Sequence, residues 1–323
     1  MRRILAFTFF ALLAALCLVA AGRAWDAQVL GDAVRGGRIY DNWIVVVGRQ
    51  APATNHPLWD TQESNRRSGA VTWLCTECHG WDYKGGDGAY GVFSTHYTGF
   101  IGTLGVVGAS QQDVLTWFNG TRNTSHDFTA YFDAVDVMDL VAFLRTRQID
   151  TSLLIDRFTG RSLGDPQQGS GLYESTCASC HGDDGAEINF GTLQDPLYLA
   201  DMAVVDPWRS VHKIRFGTPL SAAMPAAEDL GWSLTRVADV LAYAQTLQRG
   251  NPSLRPFSAV ATGPVLESQG NIVPLVWASA ILLLIVVAGV AYDYYQRHAP
   301  QPGPRKTPNG SGQPKNGKTN HKH

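Results

Sequence analysis

The chain has 323 residues, 45% hydrophobic and 17% charged, which excludes wholesale disorder and suits two or so domains. Its net charge of −2 hides a split: three of the 26 basic residues (Arg2, Arg3, Arg23) precede Trp25 and six follow Gln296, so the stretch between sets 17 against all 28 acidic residues, a balance of −11. Such an acidic body argues against nucleic acid as a partner and suits solubility or docking to a basic protein.

The chain opens on a basic pair, Arg2-Arg3, followed by the apolar run Ile4 to Ala21 and the small residues Gly22 and Ala24. That order predicts a signal peptide over 1–24, with a retained membrane helix as the alternative. Cys17 falls inside it, after a bulky Leu16 that does not suit lipid attachment.

Four cysteines remain beyond the leader, in two frames: Cys75-Thr76-Glu77-Cys78-His79 and Cys177-Ala178-Ser179-Cys180-His181. C-x-x-C-H is the spacing at which c-type haem is attached. Two thiols on one side of a helical turn can bond the two vinyl groups of one porphyrin, and the next residue, His79 or His181, meets the iron. A shared zinc site would not call for a histidine after each pair, a thioredoxin-type motif expects a βαβ context, and simple disulfides are the remaining alternative. The frames predict two haem c groups.

The surroundings of the frames repeat. Gly36-Gly37-Arg38-Ile39-Tyr40 leads into the first, across a long insertion from Ile44 to Ser68 that could serve docking; Gly169-Ser170-Gly171-Leu172-Tyr173 leads into the second. Each segment closes on apolar residues at helical spacing, Asp136 to Leu144 and Ala238 to Ala244. This layout resembles the class I cytochrome c domain, in two copies covering about two-thirds of the chain. The resemblance implies an all-α fold of two tandem domains, 25–150 and 151–250, and a sixth iron ligand on the loop before each closing helix. In the second copy Gly217-Thr218-Pro219-Leu220-Ser221-Ala222-Ala223-Met224-Pro225 fits that loop, so Met224 is the expected ligand and Met202 the alternative. The first copy has no methionine there; Gly120 to His126 occupies the same place, which makes His126 the expected partner of His79. His96, 17 residues after His79, is the alternative. Met138 lies inside the closing helix, and His56 in the insertion reads as a surface histidine. Arg122 and Arg215 are placed to pair with haem propionates, a carboxylate contact that arginine favours, or to face solvent. For Trp73, Trp81, Trp117, Trp208 and Trp232, core packing is the ordinary role and lining a haem edge the alternative.

Arg249 to Asn271 is proline-bearing and irregular, a tether over 251–271. Ile272 to Tyr292 is an uncharged apolar run long enough to span a bilayer. Trp277 at one end and Tyr292, Tyr294 and Tyr295 at the other read as interfacial anchors, giving a transmembrane helix over 272–295. The basic tail, 296–323, is expected to be disordered and, by the positive-inside rule, cytoplasmic. The haem domains are then periplasmic, on the outer face of the cytoplasmic membrane.

Met/His ligation raises a haem potential, so a bis-His first haem is expected below a His/Met second haem. Two ligands on each iron leave no open position and favour electron transfer over catalysis. The expected function is a membrane-anchored carrier or respiratory subunit, with a quinol-oxidising complex or dehydrogenase as donor and an oxidase or soluble cytochrome as acceptor. The layout also resembles the cytochrome c subunits of quinol–cytochrome c reductases. The alternatives are a structural or assembly subunit and a dihaem enzyme, a peroxidase or a thiosulfate dehydrogenase-like protein; the latter uses a cysteine haem ligand, and no spare cysteine exists here.

Overall fold

A computed structural model describes residues 31–251 and 253. The expected signal peptide, transmembrane helix and basic tail, and nearly all of the tether, lie outside the described residues. Among the described residues the regular elements are helices and isolated β-bridges, with no strand, and no helix is long and apolar enough to cross a membrane.

Helix α1 (Ala33–Val47) starts where the Asp32 carboxylate accepts from the Val34 and Arg35 amides, and stops at Gly48 in a left-handed conformation. It bends at Asn42, whose backbone leaves the helical region and whose side chain accepts from the Val45 amide at 3.3 Å. Short helix α2 (Cys75–His79) carries the first cysteine frame. Helices α3 (Gln111–Phe118) and α4 (Ala134–Thr146) follow, the latter begun by a reciprocal cap between Asp133 and Asp136. The second half repeats the order with α5 (Pro166–Thr176), α6 (Ala178–His181), α7 (Leu199–Val205), α8 (Pro207–Phe216) and α9 (Leu234–Ala244). The expected closing helices, 136–144 and 238–244, are thus α4 and α9.

In each half the lead-in helix crosses the closing helix at a glycine. A Cβ on Gly36 would stand 2.0 Å from the Asp139 carbonyl oxygen, and one on Gly169 would stand 2.0 Å from that of Asp239. The Asp32 amide donates to Asp139 at 2.7 Å, and the Asp165 amide to Asp239 at 2.8 Å. Tyr40 donates its hydroxyl to the Gly80 carbonyl at 2.7 Å, just past His79; Tyr173 donates to Gly182 at 2.6 Å, just past His181. Lead-in, closing helix and haem motif are therefore joined by the same contacts twice.

Asp139 is buried and its carboxylate takes two bonds, because Arg35 also spans it and Asp136 at 2.6 Å each. Asp139→Ala removes the carboxylate that accepts from the Asp32 amide and from Arg35 and is expected to cost about 2 kcal/mol. A fall in the urea midpoint at unchanged slope would measure it.

The two cores cross the boundary drawn at 150/151. Phe216 is fully buried among Tyr40, Trp43 and Phe143 of the first core. Trp81 and Tyr90 pack with Leu154, Trp208 and Leu241 in the second. Residues 31–251 accordingly fall within one compact unit.

Candidate haem sites

The first site is a cavity of about 290 Å³. Cys75, Cys78 and His79 of α2 line one side of it. Its walls are apolar, from Trp73, Leu74, Val114, Trp117, Leu140 and Leu144, and His126 and His56 also face into it. The four cysteines of the two frames form no disulfide. Burial pushes Cys75 and Cys78 up to about 12 and Cys177 up to about 11. Among the described residues no three His, Cys, Asp or Glu side chains gather into a metal cluster.

The histidine tautomers are settled by their partners. His79 donates its Nδ1–H to the Ile101 carbonyl at 2.7 Å, and His126 donates its Nδ1–H to the Trp117 carbonyl at 2.9 Å. A carbonyl only accepts, so both rings keep Nε2 as a free lone pair, the form in which imidazole binds a metal. Burial holds His79 down to about 4 and lowers His126, which keeps both neutral at pH 7. Their ring centroids are 6.3 Å apart. An imidazole nitrogen lies about 2 Å from a metal that it ligates, so two rings capping one metal from opposite sides hold their centroids roughly 6 Å apart.

His56 departs from the surface role expected of it. It is buried, 4% exposed, edge-on to Trp73 at 4.6 Å and 5.9 Å from the His126 ring. The reason is that the 44–68 insertion folds back as a wall of the cavity, pinned by Trp73 Nε1–H donating to the Thr54 carbonyl at 2.9 Å. The His56 Nδ1 accepts from the Leu58 amide at 3.2 Å, and burial holds the ring down to about 4. Its single proton therefore sits on Nε2. His56 offers the cavity a hydrogen-bond donor rather than a lone pair. The position of His56 in sequence gave no hint of this, since the insertion has no counterpart in the second half.

His96 is not among the cavity-lining residues. It stacks on Tyr90 at 4.5 Å, and the Arg67 guanidinium lies against its ring, Nη1 2.5 Å from Nδ1 and Nη2 3.0 Å from Nε2, where whichever nitrogen lacks the proton accepts. Arg122 pairs with Asp113 at 3.3 Å and lies over the Trp117 ring, one residue outside the wall. Arg215 is buried, 2% exposed, and its guanidinium is committed to Glu228 at 2.5 Å and the Arg147 carbonyl at 2.7 Å, with Nη1 left without a partner. Trp73 and Trp117 line the cavity, whereas Trp81 and Trp208 are core. Met138 lies within α4, as expected.

At the second site Cys177 joins α5 to α6, and Cys180 and His181 follow on α6. Burial lowers His181, and its Nδ1 is buried without a hydrogen-bond partner. Met224 is half-buried in a loop that leaves α8 at Gly217, a left-handed turn with φ 77°. Met202 sits within α7 and is also half-buried. Apolar side chains stay uncovered in the loops after His181 and before Met224: Phe190 is 45% exposed, Leu193 91% and Leu220 78%. Bare apolar surface of this kind calls for a covering group.

These residues fit a covalently held porphyrin: paired thiols beside an apolar cavity, with neutral imidazoles facing across it. Residues 164–243 match the family model described as cytochrome c oxidase, cbb3-type, subunit III. No curated protein matches the chain, and no solved structure does. The matched stretch holds Cys177, Cys180, His181 and Met224. It is a c-type cytochrome domain, a module that binds haem c covalently and serves electron transfer.

Proposed function

We propose that the chain is a dihaem c-type cytochrome whose first haem is held by Cys75, Cys78, His79 and His126 and whose second is held by Cys177, Cys180, His181 and Met224. The observation that carries the reading beyond the matched domain is the pair of facing, Nδ1-donating imidazoles, His79 and His126, with centroids 6.3 Å apart over the cavity that Cys75 and Cys78 line. The recurrence of the Gly36, Asp139 and Tyr40 contacts at Gly169, Asp239 and Tyr173 supports two tandem cytochrome domains.

Each haem supplies a one-electron ferrous–ferric couple. The protein's part is to bind and orient it: the carbonyls of Ile101 and Trp117 fix the ring planes of His79 and His126, and the apolar wall excludes water. With His79 and His126 both bound, the first iron would have no open position, which favours electron transfer over catalysis. A bis-His haem sits below a His/Met haem, other influences being equal, so flow from first to second is downhill.

The cellular reading rests on the sequence alone. The leader, the apolar run at 272–292 and the basic tail support an anchor in the cytoplasmic membrane with the haem body outside. The acidic body supports a basic redox partner, with a quinol-oxidising complex or dehydrogenase as donor and an oxidase or soluble cytochrome as acceptor.

The test is the mass and redox titration of the mature protein. Two haem masses on the polypeptide and two separated midpoints are expected, with Cys75→Ala/Cys78→Ala removing one haem and the lower midpoint. A single haem in the wild type, or loss of the higher midpoint in that variant, would defeat the assignment.

A further inference from the structure

The two halves carry nearly the same lead-in helix, but they differ at three positions on one face. Gly37, Arg38 and Asp41 of α1 correspond to Ser170, Gly171 and Glu174 of α5, counting from the shared Gly36/Gly169 and Tyr40/Tyr173. On α5, Gly171 and Glu174 are exposed, and a Cβ on Gly171 would meet nothing within 4 Å. On α1 the same face is buried against α8, the helix that leads into the Met224 loop.

Every contact on that face grips the root of the loop. The Phe216 ring presses on Gly37, where a Cβ would stand 2.5 Å from it, and the Gly37 carbonyl accepts from His212 Nε2–H at 2.9 Å. Arg38 donates from Nε to the Phe216 carbonyl at 2.7 Å. Asp41, 6% exposed, pairs with Lys213, and Lys213 also reaches the Thr218 hydroxyl at 3.4 Å. Phe216 is thus held directly by Arg38 of the other half, and Thr218 indirectly, through Lys213, whose ammonium Asp41 fixes. At Gly217 the fit is closed from both sides: a Cβ there would stand 2.8 Å from the Met224 carbonyl oxygen and 3.2 Å from Arg38 Nη2. The Arg38 guanidinium, Gly217 and the Met224 backbone are stacked on one another.

We infer that Arg38 and Asp41, residues of the first haem segment, are positioning residues for Met224 at the second haem. The inference rests on the reading of Met224 as an iron ligand. Between its ends the loop carrying Met224 holds itself with weak local bonds, Met224 amide to Ser221 carbonyl at 3.3 Å and Ser221 amide to Thr218 carbonyl at 3.4 Å. Its far end is pinned to α8 by the Ala227 amide on the Ile214 carbonyl at 3.0 Å and the Glu228 amide on the Arg215 carbonyl at 3.1 Å; the grip from α1 is on its near end. Without the grip on Phe216 and Thr218, the near end of the loop can shift, and Met224 would be held less firmly as a ligand. Ligation at the second haem therefore depends on a helix whose own Tyr40 lines the first haem cavity.

The experiment is optical and redox spectroscopy of the full-length holoprotein with Arg38→Met, which keeps the stem without donors, Arg38→Gln, which restores an N–H donor, and Asp41→Asn. The readouts are the red-edge methionine–iron charge-transfer band of the ferric protein, the higher midpoint, and the low-spin EPR signal of the bis-His haem. Loss of the band and a fall of the higher midpoint in Arg38→Met are expected, with the bis-His signal unchanged. Partial rescue is expected in Arg38→Gln, and a weaker effect of the same sign in Asp41→Asn. A wild-type protein without the band overturns the ligand assignment and the inference with it. A wild-type band that persists at full strength in both Arg38→Met and Asp41→Asn overturns the inference alone. Equal damage to both haems in every variant overturns it too, since that is general unfolding.

Discussion

On the ligation proposed for the first haem, His126→Ala is expected to turn it from a closed low-spin centre into a five-coordinate high-spin one that binds one equivalent of carbon monoxide when reduced. Three imidazoles approach the cavity, and their hydrogen bonds separate them. His79 and His126 each spend Nδ1–H on a backbone carbonyl and keep Nε2 for a metal. His56 accepts at Nδ1 from the Leu58 amide and keeps its proton on Nε2. To replace His126, His56 would have to give up that amide bond and change tautomer inside a packed wall of Trp73 and Phe128. The vacated position is therefore expected to stay open. His56→Ala and His96→Ala leave the ligand pair intact and should keep the low-spin spectrum, His96 because Arg67 and Tyr90 hold it elsewhere. His126→Met should keep a closed centre but raise its midpoint, since thioether ligation favours the ferrous state. A His126→Ala protein with an unchanged EPR spectrum would remove His126 from the iron.

How far the sequence discloses this molecule depends on the range of the interactions. The cysteine frames, the closing helices and the Gly120 to His126 stretch are local patterns, and the structure places His126 across the cavity from His79. The glycine crossings were also visible in outline, because Gly36 and Gly169 stand at the same distance before Tyr40 and Tyr173. The seam was not. Arg38, Asp41 and Gly37 meet Phe216, Lys213 and His212 across more than 170 residues, and no periodicity in either helix announces a partner that distant. Arg215 shows the same limit: the sequence left pairing with a propionate or facing solvent, and the fold buries it against Glu228 and the Arg147 carbonyl, with Nη1 unpartnered. The insertion misled for a different reason. Its composition is that of a polar surface loop, and only the fold reveals that His56 and Leu58 are turned inward.

Gly169→Ala and Gly171→Ala are expected to move stability in opposite directions, although they are two residues apart on one helix. Alanine is the better helix former by about 1 kcal/mol, and that gain is available wherever the methyl group has room. At Gly171 it has room, so Gly171→Ala should stabilise by roughly 0.5–1 kcal/mol. At Gly169 the methyl carbon would stand 2.0 Å from the Asp239 carbonyl oxygen and 2.5 Å from its carbon, both backbone atoms of α9. Neither can swing aside as a side-chain tip would, so α5 and α9 must part. Parting them breaks the Asp165 amide bond to Asp239 at 2.8 Å and opens the contact of Tyr173 with Tyr243 at 5.3 Å. Overpacking costs about 1–3 kcal/mol where a core can adjust, and this crossing has little freedom, so a loss of about 3 kcal/mol or more is expected. Gly36→Ala should do the same to α1 and α4, with a Cβ 2.0 Å from the Asp139 carbonyl oxygen. Thermal unfolding of the three variants decides the matter. Equal midpoints for Gly169→Ala and Gly171→Ala would mean that the helices do not cross at backbone contact, and the repeated geometry would fall with that. If they do cross so, Gly169→Ala should also disturb the second haem before the first, because Tyr173, one turn further along α5, holds the carbonyl just past His181.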